Sequence, residues 1–200
     1  MRGFLLGLIV GVLLVPAAVA GWLHYGHLPV AVADPRMPFE QAIVSVPLHG
    51  RIDREMPAHA AMEASPANLL LGAELYREQC AGCHGQYGRP SAIAPHMFPA
   101  APQLWAPHGH GVVGVSDDPA GETYWKIKNG IRLSAMPSYQ AILNEAQMWQ
   151  ISVLLASADK PLPPAVLAVL KQPVPADAPA ARPMAPEAPV VIPVQPVPTE

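Results

Sequence analysis

The sequence predicts an all-α domain of ordinary size, preceded by one long apolar helix. Three observations predict it. An uncharged run extends from Phe4 to Leu23, helix-start signals stand at Ser65-Pro66, at Asp118-Pro119 and at Asn144 with Gln147, and nothing around these signals alternates as a sheet strand would. At 200 residues, and with a prior of one domain per roughly 150, there is room for a single packed domain, and the packable composition lies in the middle of the chain.

The N-terminal run holds 20 residues without a charge. At about 1.5 Å per residue, a helix of that length covers roughly the 30 Å hydrocarbon core of a bilayer. Arg2 precedes it, and Trp22 and Tyr25 follow at the depth where amphipathic rings settle. Residues 1–25 are therefore expected to be a single-pass anchor with the rest of the chain exported. The competing reading is a secretory signal cleaved near Ala20, after Ala18-Val19-Ala20, which would leave a soluble protein.

Residues 26–64 carry scattered Pro, His and Met without a sustained period, and read as an extended connector in which 42–52 form either a short helix or a strand. The domain is expected over 65–160. Its first helix starts at Ser65-Pro66, a capping residue followed by proline at the first helical position, and runs toward Cys80. Residues 85–117 are a long Gly- and Pro-rich loop, and long ordered loops are usually functional. The second helix begins at Asp118-Pro119 and stops at Gly130; the third begins at Asn144, where Gln147 completes a capping box. From 161 to 200 prolines recur every few residues, so this part reads as a Pro/Ala/Val-rich disordered tail with at most one or two helical turns near Ala165 to Lys171.

A net charge of -3 with no basic stripe argues against nucleic acid as a partner. The only two cysteines sit in Cys80-Ala81-Gly82-Cys83-His84, which excludes a disulfide framework. This C-X-X-C-H spacing is the attachment signature of c-type haem: two thiols one helical turn apart reach the two vinyl groups of one porphyrin, and the adjacent histidine lies beneath the iron. A structural zinc site would need a second ligand pair, which is missing at zinc spacing. A thioredoxin-like dithiol would need a strand before the motif, and a helix precedes it here. Two idle cysteines are the remaining alternative.

From about Asn68 to Asp159 the chain resembles bacterial class I cytochromes c, in particular membrane-anchored monohaem forms. The residues that carry the resemblance are Gly72 and Tyr76, Cys80 through Gly85, Pro102-Gln103-Leu104, Asn129-Gly130-Ile131, Met136-Pro137 and Trp149. It implies a small cytochrome c fold of three to four helices around one covalent haem c. It also implies that Gly72 lets the last helix cross closely, with Trp149 on the Tyr76 side, that the Pro102 carbonyl accepts the Nδ1 proton of His84, and that Leu104 covers the porphyrin. Met136 becomes the sixth iron ligand opposite His84, in competition with Met97, Met148, His96, His108 and His110. Met148 reads as core, and His108-Gly109-His110 as an exposed loop or a second metal contact. Trp125 and Arg132 flank the haem-edge segment, and either is placed to bond a propionate.

The expected function is single-electron transfer on the periplasmic face of a bacterial inner membrane, with a redox-protein donor and acceptor and no small-molecule substrate. The alternatives are a haem subunit of a larger oxidoreductase, and a haem enzyme or gas sensor with an open sixth site.

Overall fold

The computed structural model describes residues 2–174, leaving out the side chains of Arg2, Phe4, Leu5, Leu6, Leu8 and Ile9. Seven helices follow one another among these residues: α1 (Arg2–Tyr25), α2 (Glu40–Glu55), α3 (Pro66–Gln79), α4 (Ala81–His84), α5 (Ala120–Asn129), α6 (Glu145–Leu155) and α7 (Pro164–Leu170). Two short 3-10 turns, Ala94–His96 and Gly109–Gly111, interrupt the long loop. No strand forms among the described residues, as expected of an all-α fold. The chain divides into two compact units, Met1–Val46 and Pro47–Glu200. The division falls inside α2 at Pro47, which has no N–H to offer the carbonyl four residues back.

In the first unit α1 runs for 24 residues with Pro16 inside it. No helix among the described residues is long and apolar enough to cross a membrane. The side chains that begin the apolar run, from Phe4 to Ile9 apart from Gly7, lie outside the described residues.

In the second unit α3 and α6 pack most intimately, and Gly72 is the reason. A Cβ there would collide with the Gln150 carbonyl oxygen and stand 2.8 Å from its carbon, so only glycine permits the approach. Around this crossing lie Leu69, Ala73, Tyr76, Ile151, Leu154 and Leu155, all buried. Trp149 is buried too, but its ring stacks on Tyr124 of α5 (4.3 Å, 12°), whereas Tyr76 meets Trp105 edge-on at 5.7 Å.

The helix starts follow the local chemistry. Ser65 Oγ accepts the Asn68 N–H (3.3 Å) with Pro66 as the first helical residue. At α6 the capping box is complete: Asn144 Oδ1 accepts the Gln147 N–H and Gln147 Oε1 accepts the Asn144 N–H, each at 2.9 Å. Asn144→Ala is expected to lower stability by about 1 kcal/mol, read as a shift of the urea midpoint with unchanged slope. At α5 the signal is used differently. The Asp118 carboxylate turns to Lys126 (3.5 Å) rather than capping the helix, and Lys126 also pairs with Glu122 at 2.6 Å.

The packed core is longer at both ends than 65–160. Upstream, α2 resolves the open choice at 42–52 as helix, and its Ile52 is buried. Trp125 Nε1 donates to Glu55 (3.0 Å), Arg51 pairs with Glu55 at 2.8 Å, and the Pro57 carbonyl sits where a Cβ on Gly121 would be. Downstream, Val166 and Leu170 of α7 are fully buried against α3. Pro163 and Pro164 start this helix instead of breaking it, because a proline at the first helical position gives up an N–H that has no intrahelical partner anyway. The expected tail beyond 174 lies outside the described residues.

Candidate functional site

Cys80 ends α3, and α4 carries Ala81 to His84 as one further turn, closed by Gly85 at φ 80°. The N–H groups of Cys83 and His84 both bond the Cys80 carbonyl (3.2 and 2.9 Å), so the two thiols and the imidazole belong to one turn. Both cysteines are half-buried and neither is in a disulfide. Burial, reinforced by Cys83, pushes the Cys80 thiol up to about 12, and burial raises Cys83 as well, so both are neutral thiols at pH 7.

The loop after the turn, together with Tyr76 of α3, binds the carbonyls from Gly82 to Gly85. Ser91 Oγ donates to Gly82 O (2.6 Å), Gln103 Nε2 to Cys83 O (3.3 Å), the Leu104 N–H to His84 O (3.1 Å) and the Tyr76 hydroxyl to Gly85 O (2.7 Å). From below, the Tyr139 hydroxyl donates to Gln79 O at 2.8 Å. Gln103 also accepts the Ser91 N–H through Oε1 (2.6 Å), and that oxygen occupies the space a Cβ on Gly85 would need. The turn is thus clamped by side chains that are 9 to 60 residues distant in sequence.

His84 Nδ1 lies 2.8 Å from the Pro102 carbonyl, which can only accept, so Nδ1 carries the proton and Nε2 presents its lone pair. No described residue bonds Nε2. Desolvation lowers the His84 pKa against the opposing effect of the Pro102 carbonyl, which favours the neutral imidazole a metal requires. Leu104 is buried next to this histidine's backbone.

Met136 sits in a loop shaped by Gly130 (φ 67°), where any Cβ would crowd Pro137 and Ser138. The Ile131 N–H bonds Met136 O (3.2 Å), and the Met136 N–H bonds Ser134 Oγ (3.1 Å). The methionine is half-buried against the core, and no described group bonds its sulfur. Three residues on, Tyr139 ties this loop to the cysteine turn through Gln79, and its pKa is raised by burial and then by Cys80 and Cys83.

The remaining sequence candidates part company here. The indole N–H of Trp125 donates to Glu55, a partner that α2 brings across and that sequence spacing does not reveal. Arg132 is exposed and bonds nothing described. His96, His108 and His110 are exposed, Met97 is half-buried, and Met148 is core. Among the described residues no group of three or more His, Cys, Asp or Glu side chains could hold a metal ion, so the His108/His110 pair has no third ligand. Sequence reasoning missed Ser91, Gln103 and Tyr139 as clamps. Only Gln103, in the middle of Pro102-Gln103-Leu104, carried a local signal.

Among the described residues Cys80, Cys83 and His84 do not converge as a group that could hold a bare ion, whereas two unpaired thiols one turn apart beside a neutral imidazole held at Nδ1 suit a covalently attached porphyrin. Comparison with known proteins bears on the same stretch. A family model described as "Cytochrome C oxidase, cbb3-type, subunit III" matches residues 67–155, from α3 to the end of α6. No curated protein and no solved structure matches the chain.

Proposed function

We propose, from the premise that residues 67–155 are a c-type cytochrome domain whose cofactor is haem c, that Cys80 and Cys83 form its thioether links, that His84 and Met136 are its axial ligands, and that the chain passes single electrons between redox proteins. The observation that carries this reading is the 2.8 Å contact from His84 Nδ1 to the Pro102 carbonyl, made within the turn that holds both cysteines. Haem c, when bound, supplies an iron that gains or loses one electron.

The chain's own residues do the rest. Pro102 sets the rotation and tautomer of the imidazole and raises its basicity. Hydrogen bonds from Tyr76, Ser91, Gln103 and Tyr139 hold the turn through the carbonyls of Gly85, Gly82, Cys83 and Gln79. Met136 would supply a thioether, which favours ferrous iron relative to a second imidazole, and with His84 and Met136 both held by the iron no position on it would be left for a substrate.

The anchor belongs to the same proposal. Its support is the uncharged run from Phe4 to Leu23, the helix α1 that contains it, Arg2 before it, and Trp22 and Tyr25 after it. On this reading the haem domain lies on the periplasmic side of a bacterial inner membrane.

A second reading, a haem subunit of a larger oxidoreductase, draws on the description of the matching family. It preserves the chemistry and changes the partner, and co-purification of a stable complex from membranes would favour it over a free carrier. The spectrum tests the ligands. The ferric protein is expected to show a weak near-infrared sulfur-to-iron band that Met136→Ala abolishes. A ferric protein without that band and with high-spin iron would instead indicate an open sixth site.

A further inference from the structure

Helix α2 begins with an apolar stripe that nothing in its own unit covers. Ile43 and Val46 stand about 60° apart on one face of the helix and are 68% and 70% exposed, and Phe39, in the turn just before the helix, is 81% exposed. Met37 is exposed as well, and so is Val44, which lies about 160° round the helix from Val46. Gln41, about 200° round from Ile43, is an exposed polar residue away from Ile43 and Val46. Phe39 is held at φ 62°, a backbone region bulky residues rarely adopt, just before the helix, so its ring is presented outward despite local strain. The Met37 N–H bonds the Glu40 carboxylate (2.9 Å) and the Glu40 N–H bonds Met37 O (3.3 Å), closing the turn that sets this entry.

Contiguous exposed apolar residues on one helical face mark an interaction surface. Here the sequence position argues for its occupant. About a dozen residues separate Tyr25 at the end of α1 from Phe39, and they reach at most ~45 Å even when fully extended. The turn at Ala31 to Asp34, where the Asp34 carboxylate accepts two backbone N–H groups at 2.9 Å, shortens that reach. With α1 in a bilayer, the stripe never leaves the neighbourhood of the lipid surface, at an effective concentration no diffusing partner attains.

We propose that the start of α2, from Glu40 to Val46, lies in the plane of the bilayer interface with Ile43 and Val46, and Phe39 just before the helix, seated in the acyl boundary. The proposal rests on the anchoring of α1. Pro47 then marks where the lipid-seated part of α2 gives way to the part that carries Ile52 in the core.

The test uses the full haem-loaded chain in vesicles of phosphatidylethanolamine and phosphatidylglycerol, with a nitroxide on Ile43→Cys, Val46→Cys, Gln41→Cys or Leu13→Cys, one at a time. Power saturation compares access of oxygen, which concentrates in lipid, with access of a polar nickel chelate. The expected result is oxygen-favoured collisions at 43 and 46, chelate-favoured collisions at 41, and oxygen-favoured collisions at 13. Chelate access at 43 and 46 with lipid access at 13 overturns the seat while the anchor stands. Chelate access at 13 overturns the anchor and the seat with it. Labels at 43 and 46 shielded from both reagents overturn the seat in favour of a protein contact on this face.

Discussion

Cys80→Ser combined with Cys83→Ser is expected to abolish covalent haem completely: after denaturing electrophoresis the polypeptide carries no haem stain, and acid-acetone extracts all haem that co-purified. The expectation follows from the thiol chemistry. The two sulfurs are the only ones in the chain able to form thioethers, they lie one turn apart, and they are unpaired. Either single replacement is expected to retain one link and therefore some stain. The double variant also separates attachment from folding. The clamps on Gly82, Cys83, His84 and Gly85 use backbone carbonyls, which serine leaves in place, so the turn keeps its partners while the thioethers are lost. Haem that stayed on the double variant through extraction would overturn the assignment of both cysteines.

The second large effect is structural. Gly72→Val is expected to destabilise the domain by about 3 kcal/mol or more, toward the upper end of overpacking costs. The added carbons meet the backbone of Gln150, carbonyl oxygen first, and a backbone cannot swing aside as a side chain can. Helix α6 must back away from α3, opening the contacts of Leu69, Ala73, Ile151 and Leu154 together. Set against a total of about 5–15 kcal/mol for a domain, that is a large share. Gly109→Ala is the control: an added Cβ there meets nothing within 4 Å and the backbone is not left-handed. Its thermal midpoint is expected to be close to that of the parent, while Gly72→Val melts far lower or is not recovered folded.

Gly72 also shows how far the sequence could be read. A lone glycine inside a helix is ambiguous, and the resemblance supplied its meaning as a crossing point. The structure supplied the partner, which is Gln150's carbonyl. The start of α6 needed no such help, because Asn144 and Gln147 satisfy each other's backbone over three residues. By contrast α7 looked like part of a tail, since prolines at 161, 163, 164 and 173 read as interruptions. Whether a proline breaks or begins a helix depends on what the following turn is packed against, and here Val166 and Leu170 are packed against α3.

Trp125 illustrates the same limit at the site. The direction of its indole N–H was not legible, because Glu55 comes from 70 residues away.

By itself, then, the sequence determined whatever is encoded within a few residues: the all-α character through caps and stops, the haem chemistry through Cys80-Ala81-Gly82-Cys83-His84, and the apolar N-terminal run. Tertiary structure decided the groups that meet across long separations. It brought Pro102 to His84, Tyr139 to Gln79, Glu55 to Trp125 and α7 to α3. The physical reason is range. Capping bonds and a thiol pair one turn apart close within single helical turns, whereas a buried donor takes whichever acceptor the packed chain delivers, and no local pattern specifies that acceptor.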